Sequence, residues 1–502
     1  MNATMTKIRR MLGHVGLTAG LCALPASGQV TYEWTGLGDG QSFGAVANWT
    51  PNGVPGLLDE AKFDGASSRV ISFASSPANA TASIENDTVR FNLGAQTYTA
   101  GQLIVGDRMT DVGSLTVNGG RLVTTSGLAR IGRLSPSTGS LFITGGATMD
   151  NQRDLVVGDE GSGFLQIDTG CSVTSLIAFI ADADTATGDA IVRGTWNIQN
   201  SALIGNSGMG ALTVESGGDV AVGLDTKVGD DPLSSGSLTI DGPGSTLTST
   251  AATTIGNFGE GSLTVSNGGR LTTAQLKIAD DAPAAVIVDA GTIIDSVATG
   301  VGNRAVGTMT LNRGGVVQSP LVTVGALGTL GGSGTIQGMV LSAGRVSPGT
   351  GPGTLAVTGN YTQTIGILDI QIGGPNAGTQ YDQLTVGGIA NLGGTLNVVL
   401  TNGYNPVAGE YVILQGGTVS GAFGIANLPA GFTISYEAGR VVVSIGDPCP
   451  ADFNGDGVVN TQDFLSYLNA WAVGDLRADT DGNGTVNTID FLSYLNLWVA
   501  GC

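Results

Sequence analysis

The sequence is short of histidine, aromatic residues and basic charge, and each shortage excludes a class of chemistry. It has one histidine, His14, in the first 28 residues. Without that stretch the chain has none, which rules out Ser-His-Asp and Cys-His catalysis and histidine-ligated zinc or iron. Aromatic residues make up 5% of the chain, too few for long sugar-stacking grooves. Lys and Arg number 20 against 40 Asp and Glu. Lys7, Arg9 and Arg10 lie in the first 28 residues and no acid does, so the remainder carries 17 − 40 = −23. Such a surface argues against nucleic acid and anionic membranes as partners. Of four cysteines, Cys171 stands alone and is expected to be a small buried hydrophobe. Beyond the N-terminus no apolar run is long enough to span a bilayer.

Residues 1–28 read as a secretory signal. Lys7, Arg9 and Arg10 form its basic end, Met11 to Leu24 its apolar stretch, and Ala26-Ser27-Gly28 its small-residue cleavage site. The signal places the mature chain outside the cell, secreted or at the cell surface, and Cys22 leaves with it.

What is abundant is glycine, 83 residues, without the three-residue period of collagen. From about Gly101 a unit recurs: Gly-Ser-Leu-Thr-Val, then Gly-Gly, a short strand, and Ile-Gly or Val-Gly. Its anchors are Leu115, Leu141, Leu165, Ile191, Leu212, Leu238, Leu263 and Met309, spaced 26, 24, 26, 21, 26 and 25, then a double step of 46. A period near 24 with alternating strands and glycine corners predicts an all-β chain, a parallel β-helix or β-solenoid. Ten rungs would make a rod roughly 50 Å long. The repeats span 101–359. Residues 29–100, with Trp34 and Trp49, are expected to form an N-terminal cap and first strands, since a stack needs its first open rung shielded. A sugar-stacking patch is the other reading of those aromatics. Residues 360–446 are expected to complete or cap the solenoid. These repeats, with Leu330-Gly-Gly-Ser-Gly-Thr-Ile336 and Gly353-Thr-Leu-Ala-Val-Thr-Gly-Asn-Tyr361, are similar to the Gly-rich passenger repeats of autotransporters. The terminal membrane barrel of such proteins is replaced here by a different unit.

That unit, residues 447–502, holds two near-copies offset by 27 residues. Each starts with a twelve-residue loop presenting oxygen at positions 1, 3, 5, 7, 9 and 12, the set a hard cation such as calcium takes. In the first loop these are Asp452, Asn454, Asp456, the Val458 carbonyl, Asn460 and Asp463. In the second they are Asp479, Asp481, Asn483, the Thr485 carbonyl, Asn487 and Asp490. Gly457 and Gly484 fall at position 6. Each loop leads into a predicted amphipathic helix, with Phe464, Leu465, Leu468 and Trp471 on one face and Phe491, Leu492, Leu495 and Trp498 repeating them. The unit resembles a type I dockerin of the variant that opens Cys-Pro-Ala-Asp-Phe-Asn-Gly-Asp-Gly and ends Gly-Cys. The resemblance implies two bound Ca²⁺ ions and docking onto a cohesin-like protein or cell-envelope anchor. Where well-studied dockerins carry Ser-Thr at loop positions 10 and 11, this chain has Thr461-Gln462 and Thr488-Ile489, so receptor identity does not transfer. Cys449 and Cys502 bracket the unit, and an oxidising compartment would pair them in one disulfide ring. The alternative is a bond from Cys502 to a partner.

Enzymes built on β-helices need paired carboxylates or a basic group in an aromatic-lined groove. The acids in question are Asp230-Asp231, Asp280-Asp281, Asp182, Asp184 and Asp189, all in turn-like segments, with Lys227, Lys277 and Arg193 standing apart and Trp196 in an alternating run. They read as solvated corners and packing, and no catalytic residue is assigned. The favoured function is a non-catalytic structural or adhesive surface protein. Its rivals are a polysaccharide hydrolase or lyase, or a carbohydrate-binding element, in a dockerin–cohesin assembly.

Overall fold

A computed structural model of the chain describes residues 28–406, 409–446, 449–454, 456 and 458–501. Residues 1–27, with His14 and Cys22 and all but the last residue of the expected signal, lie outside the described residues.

Successive side chains of a strand point to opposite sides, so Gly-Ser-Leu-Thr-Val turns one set inward. In Ser235–Asp241 the residues Gly236, Leu238 and Ile240 are buried while Ser237 and Thr239 stay half-exposed. This strand pairs in parallel with Met209–Val214 before it and Glu260–Ser266 after it. Between them the chain lays down Asp219–Val222 and Thr226–Val228, which pair in parallel with Thr246–Ser249 and Ala252–Ile255 of the next turn. Each turn therefore has three faces. The result is a β-solenoid of about 14 turns with two helices at its C-terminal end. At about 4.8 Å per rung the stack is roughly 65 Å long. The excess over the expected ten comes from both flanking regions, which contribute rungs of their own.

The register stacks like on like. Leu115, Leu141, Leu165, Ala190, Leu212, Leu238, Leu263, Val286, Met309 and Leu330 form one inward column. It runs on through Val346, Leu368 and Leu396. None of these side chains is more than 1% exposed. Each such burial contributes about 1.5–3 kcal/mol. One anchor needs correction. Ile191 sits one residue off the column, paired with Gln166 and Thr213 on the outer side, and Ala190 takes the inward place. The double step hides a rung at Val286, whose strand begins Ala284-Ala285 where its neighbours have Gly-Ser or Gly-Thr.

Backbone crowding fixes the glycines. Gly205 turns the corner with φ +64°, and a Cβ on Gly210, which opens the following strand, would lie 2.3 Å from the Gly205 nitrogen. From Arg270 the second and third faces fuse into single bent strands, Arg270–Ile278 and Thr292–Val301, with register shifts at the bend. A buried polar seam follows the corner between these faces. The Thr124 hydroxyl donates to Asn151, Trp196 Nε1 donates to Ser175 Oγ at 3.1 Å, and Thr253 donates to Thr273 at 3.1 Å. Trp196 is fully buried, as packing requires, and Cys171 is a buried free thiol.

At the N-terminal end Thr31–Trp34 pairs antiparallel with Trp49–Thr50 and parallel with Glu60–Phe63. Trp34 and Trp49 meet edge to face at 4.9 Å and are 2% and 0% exposed. They close the first rung and have no face to offer a sugar. At the other end parallel pairing continues to Ile425–Asn427. Then Arg440–Ile445 pairs antiparallel with Gly409–Gly421 on one side and with Phe432–Glu437 on the other. Residues 360–446 thus both continue the stack and close it.

Among the buried acids not singled out from the sequence is Asp382. Asp382 accepts hydrogen bonds from the Gly353 and Gln371 amides at 2.9 and 2.7 Å, tying a glycine-rich loop to the strand Ile367–Ile372. Burial pushes its carboxyl up to about 7, against the pull of those two amides. A raised folded pKa contributes stability that is complete below the ordinary 3.8 and is lost as pH rises through about 7. Denaturant unfolding should therefore show the chain more stable at about pH 5 than at about pH 8, with Asp382→Asn flattening that slope. In the column itself, Leu238→Ala should cost about 2–5 kcal/mol in the same measurement, since the rungs above and below cannot close on the void.

Candidate metal centre

The second core is small and shares no residue with the first. It is built by helix α1, Thr461–Ala472, and helix α2, Thr488–Ala500. Each begins where its loop ends. Asn460 and Asn487 are the N-caps, accepting from the Gln462 and Ile489 amides, and Asp463 and Asp490 complete the capping boxes. Position 12 of each loop is therefore also the third residue of a helix. An Asp there is short enough to serve both the loop and the helix end.

The loops converge as the spacing predicts. In the first, Asp452, Asp456 and Asp463 bring carboxylate oxygens within 4.8 Å of one another. In the second, Asp479, Asp481 and Asp490 do the same. The Asp463 oxygens accept from the Asn454 and Asn460 amides at 3.0 and 2.9 Å. Those of Asp490 accept from Thr480, Asp481 and Asn487 at 2.9, 3.1 and 2.8 Å. Asn454 Oδ1 takes the Asp456 amide at 2.8 Å, and its counterpart Asp481 takes the Asn483 amide at 3.1 Å. The Val458 and Thr485 carbonyls each receive the Nδ2 of the asparagine two residues on, at 3.0 and 3.3 Å. A carbonyl or carboxylate oxygen with one such bond keeps a second lone pair. Gly484 turns with φ +84°, as the sixth position demands, while Gly457 lies outside the described residues. Three carboxylates this close could hold a metal ion, and an all-oxygen donor set would suit a hard one.

The helix face differs from the one the spacing predicts. Tyr467 and Ala470 of α1 and Tyr494 of α2 form the buried centre, and Leu465 and Leu492 are 57% and 59% exposed. Phe464, Leu468, Trp471, Phe491, Leu495 and Trp498 are half-buried. The tyrosine rings stack at 3.8 Å and 5°. Their hydroxyls, and the tryptophan N–H groups, cross between the two units. Tyr467 donates to the Ala478 carbonyl at 3.2 Å and Tyr494 to that of Ala451 at 2.9 Å. Trp471 donates to the Asn487 carbonyl at 2.7 Å and Trp498 to that of Asn460 at 2.9 Å. The expected Cys449–Cys502 bridge involves Cys502, outside the described residues.

The acids of the solenoid stand along one corner, where side chains hydrogen-bond from rung to rung. Asn206 Nδ2 donates to Asp182 and Asn257 Nδ2 to Asp230, both at 2.6 Å, and Ser207 donates to Asp231 at 2.8 Å. Arg304 holds both oxygens of Asp281 at 3.0 Å. The bases thought to stand apart are paired: Lys227 with Asp230 at 3.2 Å, Lys277 with Asp280 at 3.6 Å, Arg193 with Glu215 at 2.7 Å. Asp184 and Asp189 are exposed. No helix among the described residues is long and apolar enough to cross a membrane. Against known proteins, the chain matches no family model and no curated sequence.

Asp463 is held below its ordinary 3.8, first by the Asn454 amide, and Asp490 likewise, first by the Asn487 amide. A lowered folded pKa gives stability that is complete above 3.8 and is lost as pH falls through the depressed value. Amides of α1 in chelator should thus exchange slowly at about pH 5 and lose protection on acidification, and Asp463→Ala should remove the protection at either pH.

Proposed function

We propose that the chain is an exported surface or extracellular rod, structural or adhesive rather than catalytic. It is held in place by calcium-dependent docking of residues 447–502 onto a cohesin-like or cell-envelope partner. The observation that carries this reading is the pair of loops, each gathering three carboxylates within 4.8 Å at the start of a helix that one of them caps. Asp452, Asn454, Asp456, Val458, Asn460 and Asp463 would hold one Ca²⁺ ion, and Asp479, Asp481, Asn483, Thr485, Asn487 and Asp490 the other. Bound calcium would supply charge neutralisation and cross-link each loop to its helix. The rod reading is supported by the spending of the solenoid's acids on its own neighbours: Asp182, Asp230, Asp231 and Asp281 each accept from the adjoining rung.

Calorimetry on the chelator-stripped full chain should find two Ca²⁺ ions, and one after Asp452→Ala. The immobilised chain should retain an envelope or extracellular protein in calcium and release it in chelator. The same chain should leave pectin, alginate, xylan and glucan uncut. Absence of calcium binding would reject the docking reading, and release of reducing ends or unsaturated products, abolished by changing one acidic pair, would reject the structural one.

A further inference from the structure

Among the described residues, the side-chain hydrogen bonds that tie each loop to its own helix come from the capping aspartate and asparagine. The four side-chain donors that fasten the ends of a loop come from the opposite unit. Tyr467 and Trp471 belong to α1, which follows the first loop, yet they hold the second. One bonds the carbonyl just before Asp479 and the other the carbonyl of Asn487, at position 9. Tyr494 and Trp498 of α2 return the arrangement, holding the carbonyl before Asp452 and that of Asn460. The rings that carry these donors meet in one small core, where Phe464 packs on Trp498 at 5.4 Å and Trp471 on Phe491 at 5.7 Å.

We propose that this crossed clamp couples the two metal centres, so that a cation in one loop raises the affinity of the other, with Trp471 and Tyr467 as positioning residues for the second loop and Trp498 and Tyr494 for the first. The inference rests on the calcium reading above. Without an ion the mutual repulsion of the three first-loop carboxylates loosens the hold of Asp463 on the end of α1. A loosened α1 keeps Tyr467 and Trp471 on the second loop less firmly, without releasing them. That loop must then be ordered in part by its own ion, and the ordering is subtracted from the binding. An ion already in the first loop has set α1 in place, and the second ion binds a loop already held. The coupling runs equally in both directions, because linkage is reciprocal.

The test uses chelator-stripped full chain titrated with CaCl₂ by calorimetry. The native chain should bind two ions with positive cooperativity. Asp452→Ala leaves only the second loop to fill, and Asp479→Ala only the first. In the Asp452→Ala chain, adding Trp471→Phe should weaken the remaining site about tenfold, an ordinary size for such coupling, while adding Trp498→Phe should leave it unchanged. In the Asp479→Ala chain the two tryptophans should exchange roles. Phenylalanine keeps a ring in the core and removes the N–H. Tyr467→Phe and Tyr494→Phe, which remove one hydroxyl each, should follow Trp471 and Trp498 respectively. A tryptophan that merely stabilises its own helix would weaken its own loop, the reverse assignment, and that result overturns the proposal. So does independent binding of two ions with both tryptophan changes silent, which leaves the metal reading standing. No binding by the native chain overturns the metal reading itself. Loss of both ions on Asp452→Ala supports the coupling, and Trp471→Phe in the native chain should then lower the cooperativity.

Discussion

The solenoid depends on one constraint: a rung can bury its inner residues only against the rungs beside it. A single turn has no inside of its own. The parallel register aligns inward positions so that Leu212, Leu238 and Leu263 lie over one another, and each contributes burial to two interfaces. The other features follow. Corners must be tight, so Gly205 takes a left-handed turn and Gly210 leaves room for it. Polar groups trapped at the inner corner must find partners, so Trp196 reaches Ser175 and Thr253 reaches Thr273. The ends must be closed, and the Trp34–Trp49 pair and the last antiparallel hairpin close them.

The C-terminal unit obeys a different constraint, that of like charges brought together. Its hydrophobic core is a few rings, and its loops spend their backbone amides on carboxylates rather than on one another. Asp463 and Asp490 sit where loop and helix meet, as the last residue of each loop and as a cap of the first helical turn. The two halves differ at the second loop position. Phe453 puts a ring against both Tyr467 and Tyr494, at 5.2 and 5.8 Å, where Thr480 offers a hydroxyl. At this position the first loop therefore gives the shared core a ring, while the second loop reaches it through Val486.

How much could be read from the residues depended on whether the decisive contact was local. The glycine-flanked strands announced the solenoid and the loop spacing announced the converging carboxylates, because both are set within one short segment. The double step of 46 reads as two rungs, but its anchor Val286 went unnamed because its strand opens with two alanines, and Ile191 displaced Ala190 because hydrophobicity favours the larger residue when orientation is unknown. Tyr467 and Tyr494 were passed over in favour of Leu465 and Leu492 because a buried hydroxyl needs an acceptor, and the acceptors lie 11 and 43 residues away. Lys227 and Lys277 reach an aspartate three residues on, across a corner whose shape the spacing does not reveal. Asp382 is closed in by a loop 29 residues distant.

The three-faced turn also frees this architecture from a rule that binds compact proteins. A globule gains core faster than surface as it grows, until one core can grow no further. Here every added turn brings the same few inward side chains and the same perimeter of exposed ones. Surface and core stay in fixed proportion from the first full rung to the last. Once enough turns are stacked to bury one another, stability per residue therefore sets no maximum on their number, and the reach of the rod is a dimension its use is free to choose.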